Sequence, residues 1–450
     1  MDILNITPID GRYRNKTSIL NHYFSELGFI KYRLTVEIKY LLFLSKKLNI
    51  TIKEKEIVRI NNIIKNFDCQ ECMRIKLYEH DCNHDVKAIE YYLRQKLEDL
   101  ELKKLNPFIH FGLTSQDINN MAITVSIKHF VSEIYILRLT NIITKINLFS
   151  DEWKEIVMIS RTHGQPAVPT TLGKEFKVFG YRLEKQLKIL EKVQYYGKFG
   201  GAVGNLNAHY FAYPEIDWDQ EFDNFVACFG LEREVFTTQI DNYENLAVVF
   251  DCLRRINTIL IDFNRDIWSY ISINYFNQNY AKNEVGSSTM PQKINPINFE
   301  NSEGNLLIAN NLLDFMSNKL PVSRFQRDLT DSTVLRNVGT ICGHILISFH
   351  NLVSGLEKIS PNQEVINRDL ENNYSVLSEA IQVILRKNNI ENGYEIIKEH
   401  FRSNSKIDRE VFRTIINQLD LNDKEKEKLL NLKHSDYIGN AQKTLSLFGS

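Results

Sequence analysis

Apolar residues recur at helical spacing along most of the chain. Ile256, Leu260, Phe263, Ile267 and Ile271 follow one another at intervals of three or four, which places their side chains on one face of a helix. Strict alternation of apolar and polar residues is scarce, and strands and helices do not follow one another in a regular order. The pattern therefore predicts an all-α protein.

The same spacing relates Ile127, Phe130, Ile134 and Leu137, and it predicts a second amphipathic helix with these four residues on one face.

The nine prolines of the chain predict where helices end. None lies between residues 9 and 106 or between residues 215 and 290. Because proline disrupts helix interiors, these intervals predict long helices, and the proline clusters predict their connections. Long helices usually bury one face against each other in a bundle. We expect three helical domains, namely an N-terminal domain (1–112), a central bundle of long helices (113–358) and a C-terminal domain (359–450).

Composition excludes several classes of function. The 55 basic and 56 acidic residues leave a net charge of −1, so no overall field attracts nucleic acid or an anionic membrane. Charged and polar side chains interrupt the apolar run 256–271, which excludes a membrane span there. Residues 1–5 lack the pattern of an export signal, and six cysteines in 450 residues are no disulfide framework. A cytoplasmic enzyme is the expectation.

Unusual polar residues coincide with the proline clusters. The stretch GSSTMPQKINP (286–296) is small and polar between helix-like segments, and SRTHGQPA (160–167) places His163 on a predicted loop. His163 is either polar surface or a group that transfers protons near neutral pH. Neither stretch alone decides between a plain connection and a site.

The segment from residue 69 to residue 84 carries several residues that could bind zinc. Cys69 and Cys72 form a CxxC pair, and His80, Cys82 and His84 follow within reach. The later residues are only two positions apart, whereas paired zinc ligands usually stand three to five apart. We therefore expect no metal.

Two further segments have both a structural and a functional interpretation. Thr114-Ser115-Gln116-Asp117 is typical of a helix N-cap, and the same hydroxyls and amides also suit a carboxylate. The segment 324–336 carries three arginines with Ser332 and Thr333 between the last two. It is either a solvated helix face or a phosphate site, because arginine forks match phosphate oxygens.

Taken in order, these segments resemble the fumarase/aspartase superfamily, whose signature loop is similar to GSSTMPQKINP. Within the superfamily the chain looks most like the adenylosuccinate lyases of the long bacterial type. The resemblance covers nearly the whole chain from residue 8, and it rests on DGRY, NHDVKAIEYYL, HFGLTSQDINN, SRTHGQPAVPTTLGKE, GAVGNLNAHY and RDLTDSTVLRN. Gln292 departs from the histidine expected there and is more reminiscent of the argininosuccinate lyases.

The resemblance implies β-elimination of fumarate from adenylosuccinate, giving AMP, and from the succinylated aminoimidazole carboxamide ribotide of the purine pathway (SAICAR), giving AICAR. It implies Ser287 as the base, His163 as the general acid, Glu300 as the carboxylate that orients His163, and Lys293 as the cation near the developing negative charge.

The resemblance also implies a set of substrate-binding residues, no metal or organic cofactor, and a homotetramer whose subunits share sites. The binding set is Arg12, Tyr13, Asn83, His84, Asp85, Thr114, Ser115, Gln239, Asn295, Arg327, Ser332, Thr333 and Arg336. One alternative is a sister enzyme such as argininosuccinate lyase, whose substrate carries no phosphate. Another is a helical scaffold without activity, against which the presence of Ser287, His163, Lys293 and Glu300 argues.

Overall fold

The computed structural model describes residues 3–279, 290, 292–402 and 407–447. These residues are predominantly helical, which confirms the all-α class. The first helices in chain order are α1 (Arg14–Thr17), α2 (Asn21–Phe24), α3 (Glu26–Lys47), α4 (Glu54–Lys65), α5 (Cys69–Cys82), α6 (Asp85–Asp99), α7 (Ser115–Phe130), α8 (Ile136–Glu152), α9 (Leu172–Leu190), α10 (Asn207–Ala212) and α11 (Trp218–Ala227). The remaining helices are α12 (Glu244–Ser272), α13 (Ile297–Lys319), α14 (Thr330–Leu335), α15 (Val338–Leu356), α16 (Gln363–Asn372), α17 (Ser378–Lys387), α18 (Gly393–Arg402), α19 (Arg409–Gln418), α20 (Asp423–Leu430) and α21 (Ala441–Leu447).

Six short strands in the described residues form three two-stranded sheets. The sheets are β1 (Val157–Thr162) antiparallel to β2 (Gln165–Thr171), β3 (Tyr196–Lys198) parallel to β4 (Glu232–Glu234), and β5 (Phe276–Gln278) antiparallel to β6 (Ile359–Pro361).

The chain divides into two compact units. Unit 1 comprises residues 1–139, 186–258 and 304–350, and unit 2 comprises residues 140–185, 259–303 and 351–450. The predicted division into three domains stays a prediction.

Unit 1 contains two clusters of buried side chains. One joins α3, α4, α5 and α6 around residues such as Leu34 and Ile89, both fully buried. The other joins α3, α7 and α11 around Tyr40, Phe199 and Trp218, also fully buried. Helix α3 contributes to both clusters, so it fixes the position of α7, whose first turn carries predicted site residues.

Aromatic residues form much of the core of unit 2. The rings of Phe149 and Trp153 stack with centroids 4.3 Å apart, and Phe176 meets Trp153 edge to face at 4.9 Å. Phe176 also meets Phe263 of α12 at 5.5 Å. Trp153 and Phe176 also contact Phe276 of β5, so these rings join α8, α9 and α12 to that strand.

The predicted apolar face of α12 is confirmed for four of its five residues, since Ile256, Leu260, Phe263 and Ile267 are at most 1% exposed, and Ile271 at the helix end is half-buried. The second predicted face is wrong at its end, because Leu137 is 65% exposed. A π-helical turn (131–135) separates α7 from α8 and shifts the helical register, so that other residues take the buried positions.

Prolines predicted the connections incompletely. The proline-free interval 9–106 contains several helices, and α5 ends at Asn83 in the left-handed conformation, with φ of 51°. Asparagine tolerates this conformation and ends helices without proline. Pro166 and Pro169 lie in β2, which is an edge strand because its sheet has only two strands, and an edge strand tolerates the missing N–H of proline.

Candidate active site

The first turn of α7 is fixed by a capping box. The backbone N–H of Thr114 donates to Oδ2 of Asp117 at 2.8 Å, and the side chain of Thr114 caps the first turn in return. The predicted N-cap is thereby confirmed, and Thr114 and Ser115 remain half-buried at the start of the helix.

Asp117 also belongs to an ion pair that the sequence analysis missed. Nζ of Lys198 lies 2.6 Å from Oδ1 of Asp117, and both side chains are fully buried. The backbone N–H groups of Gly200 and Gly201 donate to the same oxygen, at 2.9 and 3.2 Å. Lys198 donates in addition to the carbonyl of Gly201 at 2.7 Å. One carboxylate therefore holds the start of α7 and the loop after β3 in place.

A second group surrounds the carboxylate of Asp85. Arg33 donates to Oδ2 of Asp85 at 2.9 Å, and Arg336 donates to the same oxygen at 3.1 Å. Burial acts to raise the pKa of Asp85, but Arg33, the Val86 amide and Arg336 outweigh it, so the pKa lies below its ordinary value. Asp85 is thus an anion that orients two guanidinium groups.

His84 lies beside this group and caps α6. Its Nδ1 accepts from the backbone N–H of Lys87 at 3.1 Å, and its Nε2 lies 3.5 Å from Oγ of Ser115. The structure therefore brings His84, Asp85, Ser115 and Arg336 together, as the sequence predicted for residues of one site.

Gln239 and Arg327 form a third contact. Nη1 of Arg327 donates to Oε1 of Gln239 at 3.0 Å, and Nε2 of Gln239 donates to the carbonyl of Ala202 at 3.0 Å. Ser332 and Thr333 lie on α14, one turn before Arg336.

Two other predicted binding residues, Arg12 and Asn83, make no described contact with the group around Asp85. Arg12 is exposed with its guanidinium 5.8 Å from the ring of Tyr13, and Asn83 is the exposed left-handed residue that ends α5. No described hydrogen bond or ion pair links Arg12 or Asn83 to the Asp85 group.

His163 lies at the tip of a β-hairpin, so the predicted loop is in fact the turn between β1 and β2. His163 and Gly164 both have positive φ, 54° and 75°, as the two central residues of a type I′ turn require. The imidazole is exposed, and among the described residues it makes no hydrogen bond.

The other described catalytic candidates of unit 2 lie at the start of α13 and just before it. Glu300, in the first turn, accepts from Nε1 of Trp268 at 3.1 Å, and no described hydrogen bond joins Glu300 to His163. Lys293 is exposed, Asn295 is half-buried, and Gln292 is exposed. Ser287 lies outside the described residues.

The predicted residues separate by unit. Every predicted binding residue except Asn295 lies in unit 1, whereas His163, Lys293, Asn295 and Glu300 lie in unit 2.

Besides Lys198, sequence reasoning missed a contact between His110 and the buried carboxylate of Glu37. Nδ1 of His110 lies 2.5 Å from Oε1 of Glu37. Burial acts to lower the pKa of His110, but the Glu37 carboxylate outweighs it and raises the pKa. The position of His110 in HFGLTSQD, four residues before the Thr114 cap, was the only sequence signal for this pair.

Across the described ranges, no three His, Cys, Asp or Glu side chains lie close enough together to hold a metal ion. No described helix has the length and apolar character to cross a membrane.

Comparisons with known proteins agree over nearly the whole chain. Residues 11–309 match a lyase family, and residues 323–438 match the family of adenylosuccinate lyase C-terminal regions. An adenylosuccinate lyase of Dictyostelium discoideum is 48% identical over 447 residues, with 96% of each chain covered. An adenylosuccinate lyase of Escherichia coli (strain K12) is 43% identical over 443 residues, covering 97% of this chain and 96% of that protein.

Solved structures share the fold at much lower identity. A fumarate lyase from Mesorhizobium sp. BNC1 has a TM-score of 0.77 at 16% identity, with 96% of this chain and 97% of that chain covered. A 3-carboxy-cis,cis-muconate lactonizing enzyme from Pseudomonas putida has a TM-score of 0.75 at 17% identity, with 96% and 98% covered. The family matches and the sequence identity of 43–48% over nearly the full length show that the chain belongs to the adenylosuccinate lyase family.

Proposed function

We propose that the chain is a carbon–nitrogen lyase that releases fumarate from adenylosuccinate, giving AMP, and from SAICAR, giving AICAR. The observation that carries this proposal is the identity of 43–48% to adenylosuccinate lyases over nearly the full length. The match of residues 323–438 to the C-terminal family of these lyases favours them over argininosuccinate lyase.

The reaction has to form a carbanion beside a carboxylate. In the proposal, Ser287 takes the proton from the carbon next to the breaking bond, and the electron pair left behind forms the double bond of fumarate. The C–N bond breaks, and His163 gives a proton to the departing amine. The exposed imidazole at the hairpin tip, with no described partner, is free to reach a substrate.

Lys293 and Asn295 are proposed to hold the succinyl carboxylate and to stabilise the negative charge that develops on it. Fixed charges and donors of this kind often supply the largest contribution to catalysis. A serine hydroxyl is a weak base in water, so the same cation also favours the deprotonated form of Ser287. Glu300 is proposed to orient His163.

Unit 1 is proposed to bind the rest of the substrate. Thr114 and Ser115 are proposed to bind the succinyl group. They lie at the start of α7, where the N–H groups of the first turn favour carboxylates. Arg336 lies beside Asp85 with its side chain 48% exposed, so donors remain for a phosphate. Arg327, Ser332, Thr333, Arg12 and Tyr13 are proposed to contribute to the nucleotide site.

We also propose a cytoplasmic homotetramer in which residues of several subunits complete each site, without metal or cofactor. Two observations support the assembly. No described hydrogen bond joins Glu300 to His163. Large apolar side chains also stay exposed on long helices, as expected of faces that meet other subunits: Leu137, Leu148, Val178, Tyr181, Ile189, Val248, Ile308 and Phe315.

The test is fumarate release by the purified protein from adenylosuccinate, SAICAR and argininosuccinate. We expect turnover of the first two only. Release from argininosuccinate alone would assign the chain to the sister enzyme, and release from none of the three would favour the inactive scaffold.

A matched pair of variants tests the base. Ser287→Ala should lower kcat by ~10²-fold or more and leave nucleotide binding near normal, because it removes the proton acceptor. Ser288→Ala removes the neighbouring hydroxyl and should lose much less activity. Turnover by Ser287→Ala at the wild-type rate would remove Ser287 from the base role.

A further inference from the structure

Unit 1 contains a cavity that none of the predicted site residues lines. It has a volume of about 410 Å³ and lies between α2, α3, the end of α7 and the segment after α11. We call it the α3 cavity. The polar or aromatic residues that matter to its chemistry are His22, Lys31, Tyr32, Lys39, His129 and Phe229. A volume in this range accommodates a small organic molecule.

The charge of the α3 cavity is positive. Lys31 and Lys39 line it, and no aspartate or glutamate does. Lys31, Thr35 and Lys39 are spaced by four, so they lie along one face of α3, with the two lysines ~12 Å apart along the axis. Within the described residues, neither lysine forms an ion pair.

Two charged side chains near the α3 cavity have hydrogen-bond partners of their own, although the Glu133 carboxylate keeps a charge that acts to raise the pKa of His129. The Glu133 carboxylate, which lies on the π-helical turn, accepts from the hydroxyl of Tyr23 at 2.7 Å. The ammonium group of Lys128 donates to the carbonyl of Gly230. The ammonium group of Lys39 lies 4.4 Å from the ring centroid of Phe229, so an aromatic face, not a carboxylate, supports it.

The remaining wall of the α3 cavity is apolar and aromatic. Val36, Val125 and Phe229 line it, and the hydroxyl of Tyr32 lies 3.0 Å from Nδ1 of His129. Burial lowers the pKa of His129, so this imidazole favours its neutral form inside the cavity. The cavity therefore offers two cations without anionic partners, hydrogen-bonding groups and a surface for a flat, apolar body.

We propose that the α3 cavity binds a phosphate ester of mononucleotide size. The phosphate meets Lys31 or Lys39, and the flat body packs against Val36, Val125 and Phe229. Inorganic phosphate alone fills too little of the cavity to replace these apolar contacts. The site is separate from the residues proposed for fumarate release, so the two proposals stand or fall independently.

Cys228 provides a local probe, because it lines the α3 cavity and is exposed. The experiment measures the rate of Cys228 alkylation in the whole protein by peptide mass spectrometry, with AMP, ribose 5-phosphate or inorganic phosphate added. Cys69 is exposed on α5, away from the cavity lining, and serves as the internal reference. We expect AMP at ten times its Kd to slow alkylation of Cys228 roughly tenfold and to leave Cys69 unchanged.

Variants separate this site from the proposed active site. The double variant Lys31→Gln/Lys39→Gln keeps much of each side chain and should abolish the protection by AMP. Lys46→Gln removes an exposed lysine of α3 that does not line the cavity and should keep it. Arg336→Gln should keep it as well.

Three results would overturn the proposal. In the first, neither AMP nor ribose 5-phosphate at millimolar concentration protects Cys228. In the second, AMP still protects Cys228 in the double lysine variant. In the third, AMP no longer protects Cys228 in Arg336→Gln. Equal protection by inorganic phosphate would reduce the site to a simple anion site and would contradict the role of the apolar wall.

Discussion

The two units support their predicted site residues in different ways. In unit 1, Thr114 is held by Asp117, and Arg336 by Asp85, through carboxylates that each accept several hydrogen bonds. In unit 2, His163 is exposed at a hairpin tip without a described partner. The proposed binding surface is therefore preorganised within unit 1, whereas the described residues bring no hydrogen-bond partner to the proposed acid.

The difference follows from burial. A charge removed from water needs a counter-charge and hydrogen bonds, so the fully buried Lys198 and Asp117 fix each other and the loops around them. An exposed histidine needs no such support, because water solvates it. A proton donor has to meet its substrate, and freedom at the hairpin tip suits that task.

The largest expected effect tests the unit 2 side of this comparison. His163→Asn should lower kcat by ~10²–10⁴-fold, because the departing amine loses its proton donor. Stability should change by no more than about 0.5 kcal/mol, since the side chain is exposed and asparagine tolerates the positive φ at this position. Fumarate release and urea denaturation measure the two quantities.

The control for this prediction is His80→Asn, which changes a histidine whose side chain is 87% exposed on α5. Its kcat should equal that of the wild-type protein. If His163→Asn kept full turnover, His163 would not be the proton donor. If it unfolded the protein, His163 would support the fold of unit 2. Either result would contradict the contrast between the two units.

Local patterns predicted much of the fold. The apolar face of α12 and the cap at Thr114 depend on residues three or four positions apart, and both are confirmed. The face ending at Leu137 failed because one π-helical turn shifts the register, and spacing alone does not reveal such a turn.

Local patterns do not predict contacts between side chains that are far apart in the sequence. Lys198 and Asp117 stand 81 positions apart, and neither position looks buried from its neighbours in sequence. Asp117 was predicted only as part of a cap, although the structure makes it the partner of a buried lysine. The predicted binding residues came from the resemblance, and the contact of Arg336 with Asp85, 251 positions away, became visible only in the fold.

The next largest effect tests preorganisation in unit 1. Lys198→Met should destabilise the protein by about 3–5 kcal/mol, because Asp117 would keep a buried charge without its counter-ion. Urea denaturation measures the loss. The double variant Lys198→Met/Asp117→Asn removes that charge and should recover part of the stability.

A matched exposed pair shows whether burial is the cause. Lys145→Met breaks the contact of Lys145 with Glu357, whose side chain is 58% exposed, and should change stability by about 1 kcal/mol or less. Equal losses for Lys198→Met and Lys145→Met would contradict the argument from burial.

The smallest effect concerns Asp241, another buried carboxyl of unit 1, and the response of its protonation to pH. Burial raises the pKa of Asp241 to about 7, the nearby Asn120 amide acts against this rise, and the charge of Glu234 adds to it. The unfolded chain has an ordinary pKa of about 4 for this group, so the stability that the protonated carboxyl contributes is fully present below pH ~4 and is lost as pH rises through ~7. Asp241→Asn carries no titrating group at residue 241, so its stability relative to wild type should rise across this window, by at most about 4 kcal/mol.

Urea denaturation from pH 4 to pH 8 measures the difference in stability between Asp241→Asn and wild type, and Asp81→Asn, which changes an exposed carboxylate, is the control. A difference that stays constant with pH would show that Asp241 is held as an anion, like Asp85, and would contradict the argument that burial keeps it protonated.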